Sequence, residues 1–194
     1  MEPNACLVRV TGAGRGGQGC ALKPAPVSYD TIPGMTSISW SVFAQERPDL
    51  AEAGRGLMYQ FGVGLAFLST VRPDGGPRLH PFCPLIIEDR LVAHIIPSQK
   101  RDDLDRDPRY ALHSFPTEDN EDAFYLTGEA SRVTDEGLAG RAAAQFFTER
   151  NYPSEPDGFS DGKFYEFFVG RCLLTRTTGR DDWHPQHTVW AAGR

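Results

Sequence analysis

Apolar residues show no period through residues 1–34, where Thr11–Gly19 is mostly glycine with small or polar residues and Lys23–Pro33 holds three prolines. Such a segment cannot bury enough surface to offset its ordering entropy, and it lacks the continuous apolar core of a secretory signal. It reads either as a disordered N-terminal extension or as a start assigned upstream of the true one at Met35. Pattern begins at Met35, and residues 35–194 read as one domain. Behind Pro48-Asp49, the residues Leu50, Ala53, Leu57 and Phe61 recur at helical spacing, and Gly62 supplies a stop. The period then changes. Leu65–Arg72, Arg78–Ile87 and Arg90–Ile96 are strand-like runs separated by Pro73-Asp74-Gly75-Gly76 and by Glu88-Asp89.

A short helix ends at Asp105-Arg106-Asp107-Pro108, and two more strands, Arg109–Phe115 and Ala123–Val133, flank the acidic turn Thr117–Asp122. A second amphipathic helix starts near Thr134 or Asp135 and buries Leu138, Ala142 and Phe146. Asn151–Gly162 is a loop rich in proline, glycine and acid. Phe164–Thr177 is a long strand, and His187–Ala192 a short last one. Short strands joined by tight turns, with few helices, predict a mainly β domain with flanking helices (α+β): an antiparallel barrel of six strands. A doubly wound dinucleotide fold is excluded. The glycines Gly12, Gly14, Gly16 and Gly17 follow no strand and open no helix with an apolar face.

Composition narrows the function. The 194 residues are 40% hydrophobic, enough for one buried core, and carry a formal charge of -6. No general basic field is present to gather nucleic acid or an anionic membrane, so an anion must be bound locally. Cys6, Cys20, Cys83 and Cys172 are far apart and form no C-x-x-C pair, which argues against a zinc site or a disulfide framework and for a reduced, cytoplasmic protein. No apolar run approaches the roughly 20 residues of a membrane helix.

The candidate chemistry lies in Ile95–Leu104, where an apolar strand runs into Ser98, Lys100, Arg101 and a helix start. A hydroxyl, two cations and free helix N–H groups suit a phosphate. Only three lysines exist, so Lys100 is not part of a lysine-rich surface. Upstream, Arg78 and His80 stand two apart on a strand and share a face. They suit either a site or an exposed polar strand face. His94 and His113 read as hydrogen-bonded core histidines, Cys83 as a small buried residue. His184 and His187 have ligand-like spacing but no further ligand beside them, which leaves no metal site.

The succession Thr-Val-Arg-Pro-Asp-Gly, Pro-Arg-Leu-His-Pro, Pro-Ser-Gln-Lys-Arg-Asp-Asp-Leu and Asp-Pro-Arg-Tyr-Ala-Leu-His resembles the pyridoxamine 5'-phosphate oxidase-like superfamily of split β-barrel flavoproteins. The resemblance covers roughly Ser39–Trp190. It implies a homodimeric oxidoreductase with flavin mononucleotide (FMN) between subunits, passing hydride or electrons to or from a small-molecule substrate. It implies that Arg78 contacts the flavin phosphate and that Leu79, His80 and Pro81 border the ring. Ser98, Lys100 and Arg101 match positions that hold the phosphate and ribityl chain. Trp190 matches a recurring C-terminal aromatic, which either covers the partner's cofactor or closes the barrel. Some relatives use a deazaflavin and others bind haem, with or without catalysis. The Arg-x-His substrate element of the oxidases themselves is absent from Gly179–His187, so vitamin B6 oxidation is not implied. No side chain is singled out as the catalyst.

Overall fold

A computed structural model of the chain describes residues 36–194; the reading of residues 1–34, with Met35 as the alternative start, lies outside the described residues. Four helices and eight strands follow in the order α1 (Trp40–Glu46), α2 (Pro48–Met58), β1 (Ala66–Val71), β2 (Pro77–Phe82), β3 (Leu85–Ile87), β4 (Arg90–Ile95), α3 (Gln99–Arg106), β5 (Arg109–Ser114), β6 (Ala123–Arg132), α4 (Glu136–Glu149), β7 (Lys163–Arg176) and β8 (Gln186–Ala191). The domain is mainly β, an antiparallel curled sheet in the order β2-β1-β5-β6-β7-β4-β3, with β8 also on β7.

The strand count corrects the expected six to eight: the short last run joins the sheet as β8 on β7, and one earlier run divides. The run Arg78–Ile87 is two strands: Pro84 offers no N–H to a ladder, so β2 ends at Phe82, and Leu85–Ile87 turns back to pair with β4. Glu88 and Asp89 join β3 to β4 with both residues at positive φ, the backbone of a type I′ hairpin. A second correction concerns neighbours. Consecutive runs joined by short turns would pair β2 with β4 as neighbours, but the two lie towards opposite ends of the sheet. Burial explains it. Leu91, Val92 and Ala93 of β4 are all buried, so both faces of that strand need cover. In β2, Pro77, Leu79 and Pro81 are exposed and two prolines withhold donors, which suits an edge.

β7 organises the rest. One of its edges pairs with β6 along almost its whole length, while the other is shared: β4 takes Lys163–Glu166, Ile38 bridges Val169, and β8 takes Arg171–Arg176. The β6–β7 register shifts at Thr127/Gly128. A Cβ on Gly128 would lie 1.9 Å from the Phe168 carbonyl oxygen, so glycine is required where the bulge tightens the curl. Inside the curl, α1 and α2 bring Trp40, Phe43, Leu50 and Met58 against Phe124 and Phe167 of the sheet. α1 had no readable period because only Trp40 and Phe43 mark its buried side. α2 ends at Met58, one turn before the expected Phe61, which is 47% exposed. A smaller core of Leu85, Val92, Leu138 and Phe164 joins α4 to β3, β4 and β7. Asp135 caps α4 by accepting from the Leu138 N–H at 3.0 Å. No described helix is long and apolar enough to cross a membrane.

Candidate functional site

The β1–β2 ladder pairs Thr70 with Arg78 and Leu68 with His80. Leu68 and Thr70 are buried, so Arg78 and His80 share the inner face, as their spacing predicts. Leu79 and Pro81 point the other way, and Leu79 is 65% exposed. The four residues that the resemblance placed together are thus divided between two faces of one edge strand.

What holds Arg78 is Asp103, which the sequence reading did not single out. This carboxylate is 3% exposed and accepts from Arg78 Nε at 2.7 Å and Thr70 Oγ1 at 2.9 Å, with Arg106 Nη2 at 3.4 Å. Burial works against its charge, but the Arg78 and Thr70 hydrogen bonds and the Arg78 charge prevail and hold it below the usual carboxylate range. Arg78 Nη1 also donates to Gln99 Oε1 at 2.5 Å. Gln99 and Asp103 are four apart on α3 and form one helical face against β2. That spacing was the available signal.

His80 completes the rim. Its Nε2 is buried and meets no hydrogen-bond partner among the described residues. Burial pushes the imidazole below its ordinary pKa, the Lys100 and Arg78 charges push it further, and Asp103 opposes them. His80 is therefore a neutral ring under the field of two cations, one from β2 and one from α3. The curl of the sheet, rather than strand pairing, brings Arg78, His80 and Lys100 to one rim.

The other expected ligands are placed differently. Ser98 is the residue before α3, but its hydroxyl donates to the Ile96 carbonyl at 2.9 Å and does not cap the helix. Its carbonyl accepts from both Arg101 N and Asp102 N, at 3.0 and 3.1 Å. Arg101 turns away and donates to the Asp161 carbonyl at 2.9 Å. Trp190 pairs with Cys172 across β7–β8, and its ring lies 4.9 Å from that of Phe43. Of the two core histidines expected, His94 is half-buried among aromatic rings, whereas His113 is exposed, with Nδ1 2.6 Å from the Ser114 carbonyl oxygen. Cys83 is half-buried.

No protein-family model and no curated protein matches the chain. Solved structures do. A heme binding protein from Mycobacterium smegmatis is similar with a TM-score of 0.51 and 18% identity over 70% of this chain and 57% of that one, so the chain spans little more than half of that protein's length. A NimC/NimA family protein from Clostridium acetobutylicum is similar at 0.53 and 17% identity, covering 75% and 98% of the two chains. A further protein of that organism, related to general stress protein 26 of B. subtilis and of the pyridoxinephosphate oxidase family, is similar at 0.51 and 13%, covering 78% and 96%. With eight antiparallel strands curled around Phe124 and Phe167, a split edge on β7 and these structural likenesses, the chain has the fold of the pyridoxamine 5'-phosphate oxidase-like superfamily.

Proposed function

We propose that the chain is a flavin-dependent oxidoreductase that holds FMN at the Arg78–His80–Lys100 rim and acts as a homodimer on a small molecule. The observation that carries this reading is His80 Nε2, buried beside two cations with no hydrogen-bond partner among the described residues. A buried polar atom left unpaired costs about 1–3 kcal/mol, which a ligand with a polar ring edge recovers on binding. Bound FMN supplies the hydride and electron chemistry itself.

The residues of the chain bind and orient. Lys100, a cation at the start of α3, suits the phosphate in charge. Arg78 already commits donors to Asp103 and Gln99, so it supplies field and orientation rather than a two-point phosphate grip. Ser98 and Arg101, bonded elsewhere, contribute less than their positions suggested. The neutral His80 ring offers Nε2 as donor or acceptor according to its tautomer. A second copy would cover the outer face of β2, where Leu79 lies exposed between Pro77 and Pro81.

The same atom favours a second reading. The neutral, water-shielded His80 Nε2 would also suit the iron of a haem, and the M. smegmatis heme binding protein is similar in fold. One preparation separates the two. The absorbance spectrum of the freshly purified protein, with mass identification of what denaturation releases, tells FMN from deazaflavin or haem. Lys100→Ala is expected to weaken FMN binding at least tenfold, from the loss of a charge-assisted bond of about 1.5–3 kcal/mol. An unchanged affinity and bound fraction would remove Lys100 from the site. A haem band lost in His80→Ala would transfer the rim to haem. Repeated bleaching and reoxidation with reduced nicotinamide and an acceptor distinguishes an enzyme from a carrier.

A further inference from the structure

α3 has a second working side. Asp103 and Asp105 stand two residues apart, about 200° around a helix. While Asp103 faces Thr70 and Arg78, Asp105 faces β6 and β7. A cleft of about 480 Å³ opens there, lined by Leu104, Pro108, Ala130 and the group Asp105, Arg132 and Tyr165. Its floor is apolar: Leu104 is 3% and Ala130 4% exposed.

The polar group is self-braced. Arg132 Nε donates to Asp105 Oδ1 at 2.8 Å and to Tyr165 Oη at 3.2 Å, and Arg132 Nη2 donates to Asp105 Oδ2. Tyr165 Oη donates to Asp105 Oδ1 at 2.5 Å. Burial, then the bond to Asp105, pushes the phenol up to about 12, so it stays a neutral donor. The acceptor oxygens of Asp105 are thereby occupied by Arg132 and Tyr165. The guanidinium plane is fixed on one edge, its Nη1 lies outside that contact, and the side chain is 52% exposed. The Arg101 charge also reaches Asp105 and helps to hold its carboxyl below the usual range.

We infer that this cleft is a binding site for a small organic monocarboxylate, whose carboxylate meets the outer donors of Arg132 while its apolar body lies against Leu104, Pro108 and Ala130. A pre-oriented guanidinium beside an apolar floor suits a planar carboxylate in charge and in shape. The volume lies in the range of small-molecule clefts. A neutral isostere lacks the charge, and a second carboxylate on the ligand would face Asp105. The site is separate from the Arg78–His80 rim, with α3 as the wall between them.

Benzoate tests the site, with benzamide as its uncharged counterpart, by amide NMR of the full chain. Saturable shifts centred on Leu104, Ser131 and Arg132 are expected for benzoate, with at least tenfold weaker binding for benzamide. Arg132→Gln is expected to weaken benzoate at least tenfold. That variant leaves Asp105 with Tyr165 alone, so a second measurement needs no substitution: nuclear Overhauser contacts between the benzoate ring and the Leu104 methyl groups. The absence of saturable shifts, an equal response to benzamide, or absence of the Leu104 contacts overturns the inference. Loss of benzoate binding in Arg78→Gln would also overturn it, by placing the anion on the other side of α3.

Discussion

His80 and His94 are both half-buried strand histidines whose imidazoles are held below their ordinary pKa, and they arrive there by different routes. The His94 ring lies flat on Phe159 at 3.8 Å and 11°, with Phe164 at 5.0 Å and Phe146 at 6.4 Å. A Cβ on Gly162 would come 2.1 Å from its Cε1, so the loop passes there only as glycine. Burial pushes His94 down to about 4, opposed by a bond to the Phe159 backbone, and no charged side chain contributes. His80 is shifted by burial too, but then by Lys100 and Arg78, and its Nε2 is left unpaired. An imidazole in an aromatic box pins a loop. On the proposed function, an imidazole under two cations, with Nε2 unpaired among the described residues, is the one open to a ligand. Two shifts in one direction therefore carry different functional meanings, and the neighbours that produce each shift tell them apart.

The sharpest way to break that contrast is through the supports of each ring. Asp103→Asn removes the only carboxylate on which Arg78, Arg106 and Thr70 converge among the described residues. Removing one partner of a buried pair costs about 3–5 kcal/mol. Because Arg78 and Arg106 are 21% and 31% exposed, we expect the lower end, about 3 kcal/mol. His94→Leu at pH 7.5 replaces a neutral ring by an apolar side chain among aromatic rings, gives up one bond to the Phe159 backbone, and should stay below about 1.5 kcal/mol. Chemical denaturation of the two variants decides. Equal losses would mean that the rim is held by packing alone and that Asp103 is not its anchor.

Next in size is the response to pH. His94 binds its proton less readily when folded than when unfolded, so the unfolded chain holds more protons between the unfolded value near 6.5 and the folded value of about 4. Its contribution is complete above that window and is lost as pH falls through it. A shift of this size, discounted for the exposed part of the ring, corresponds to about 2 kcal/mol. Denaturant titrations of the parent chain from pH 7.5 to 4.5 should show this loss, and His94→Leu should reduce the slope over the same window, leaving the part that His80, also held low, contributes. Carboxylates such as Asp103, held low by their partners, are lost at more acid pH and do not mask it. A parent slope identical to that of the variant would place the ring in water rather than against Phe159.

How much of this was legible beforehand follows the same line between local and distant causes. The hairpins, α4 with its Asp135 cap, and the shared face of Arg78 and His80 are local in sequence, and period and turn residues reveal them. Pro84 was equally visible, but its effect on the run Arg78–Ile87 depends on β3 finding β4 rather than β1. The neighbours of β4 were not legible at all: Leu91-Val92-Ala93 announces a strand covered on both faces without naming what covers it. The site divides in the same way. Lys100 and the start of α3 were candidates because adjacent residues marked them. Asp103 was passed over because an acidic residue in a polar helix looks solvated until the sheet curls Thr70 and Arg78 onto it. Ser98 and Arg101 sit where the pattern placed them, yet their side chains bond to the Ile96 and Asp161 carbonyls, and no residue pattern encodes that choice.

The smallest effect tests the cause of the His80 shift itself. If burial alone depressed it, neutralising a neighbour would leave its titration in place, and salt would leave it unmoved, as for His94. Because Lys100 and Arg78 both contribute, Lys100→Gln should raise the His80 pKa, and so should added salt, which screens the partly exposed rim. The His94 titration should move with neither. Imidazole NMR reads both rings in one sample, so each serves as the control for the other. The substitution also separates field from contact: Gln keeps most of the side-chain length of Lys100 and removes its charge, so a raised pKa in Lys100→Gln with an unchanged fold assigns the shift to charge across the gap between α3 and β2. If His80 titrates unchanged in Lys100→Gln and in salt, Lys100 does not share a rim with His80, and the phosphate reading of α3 loses the one interaction that joins it to the ring.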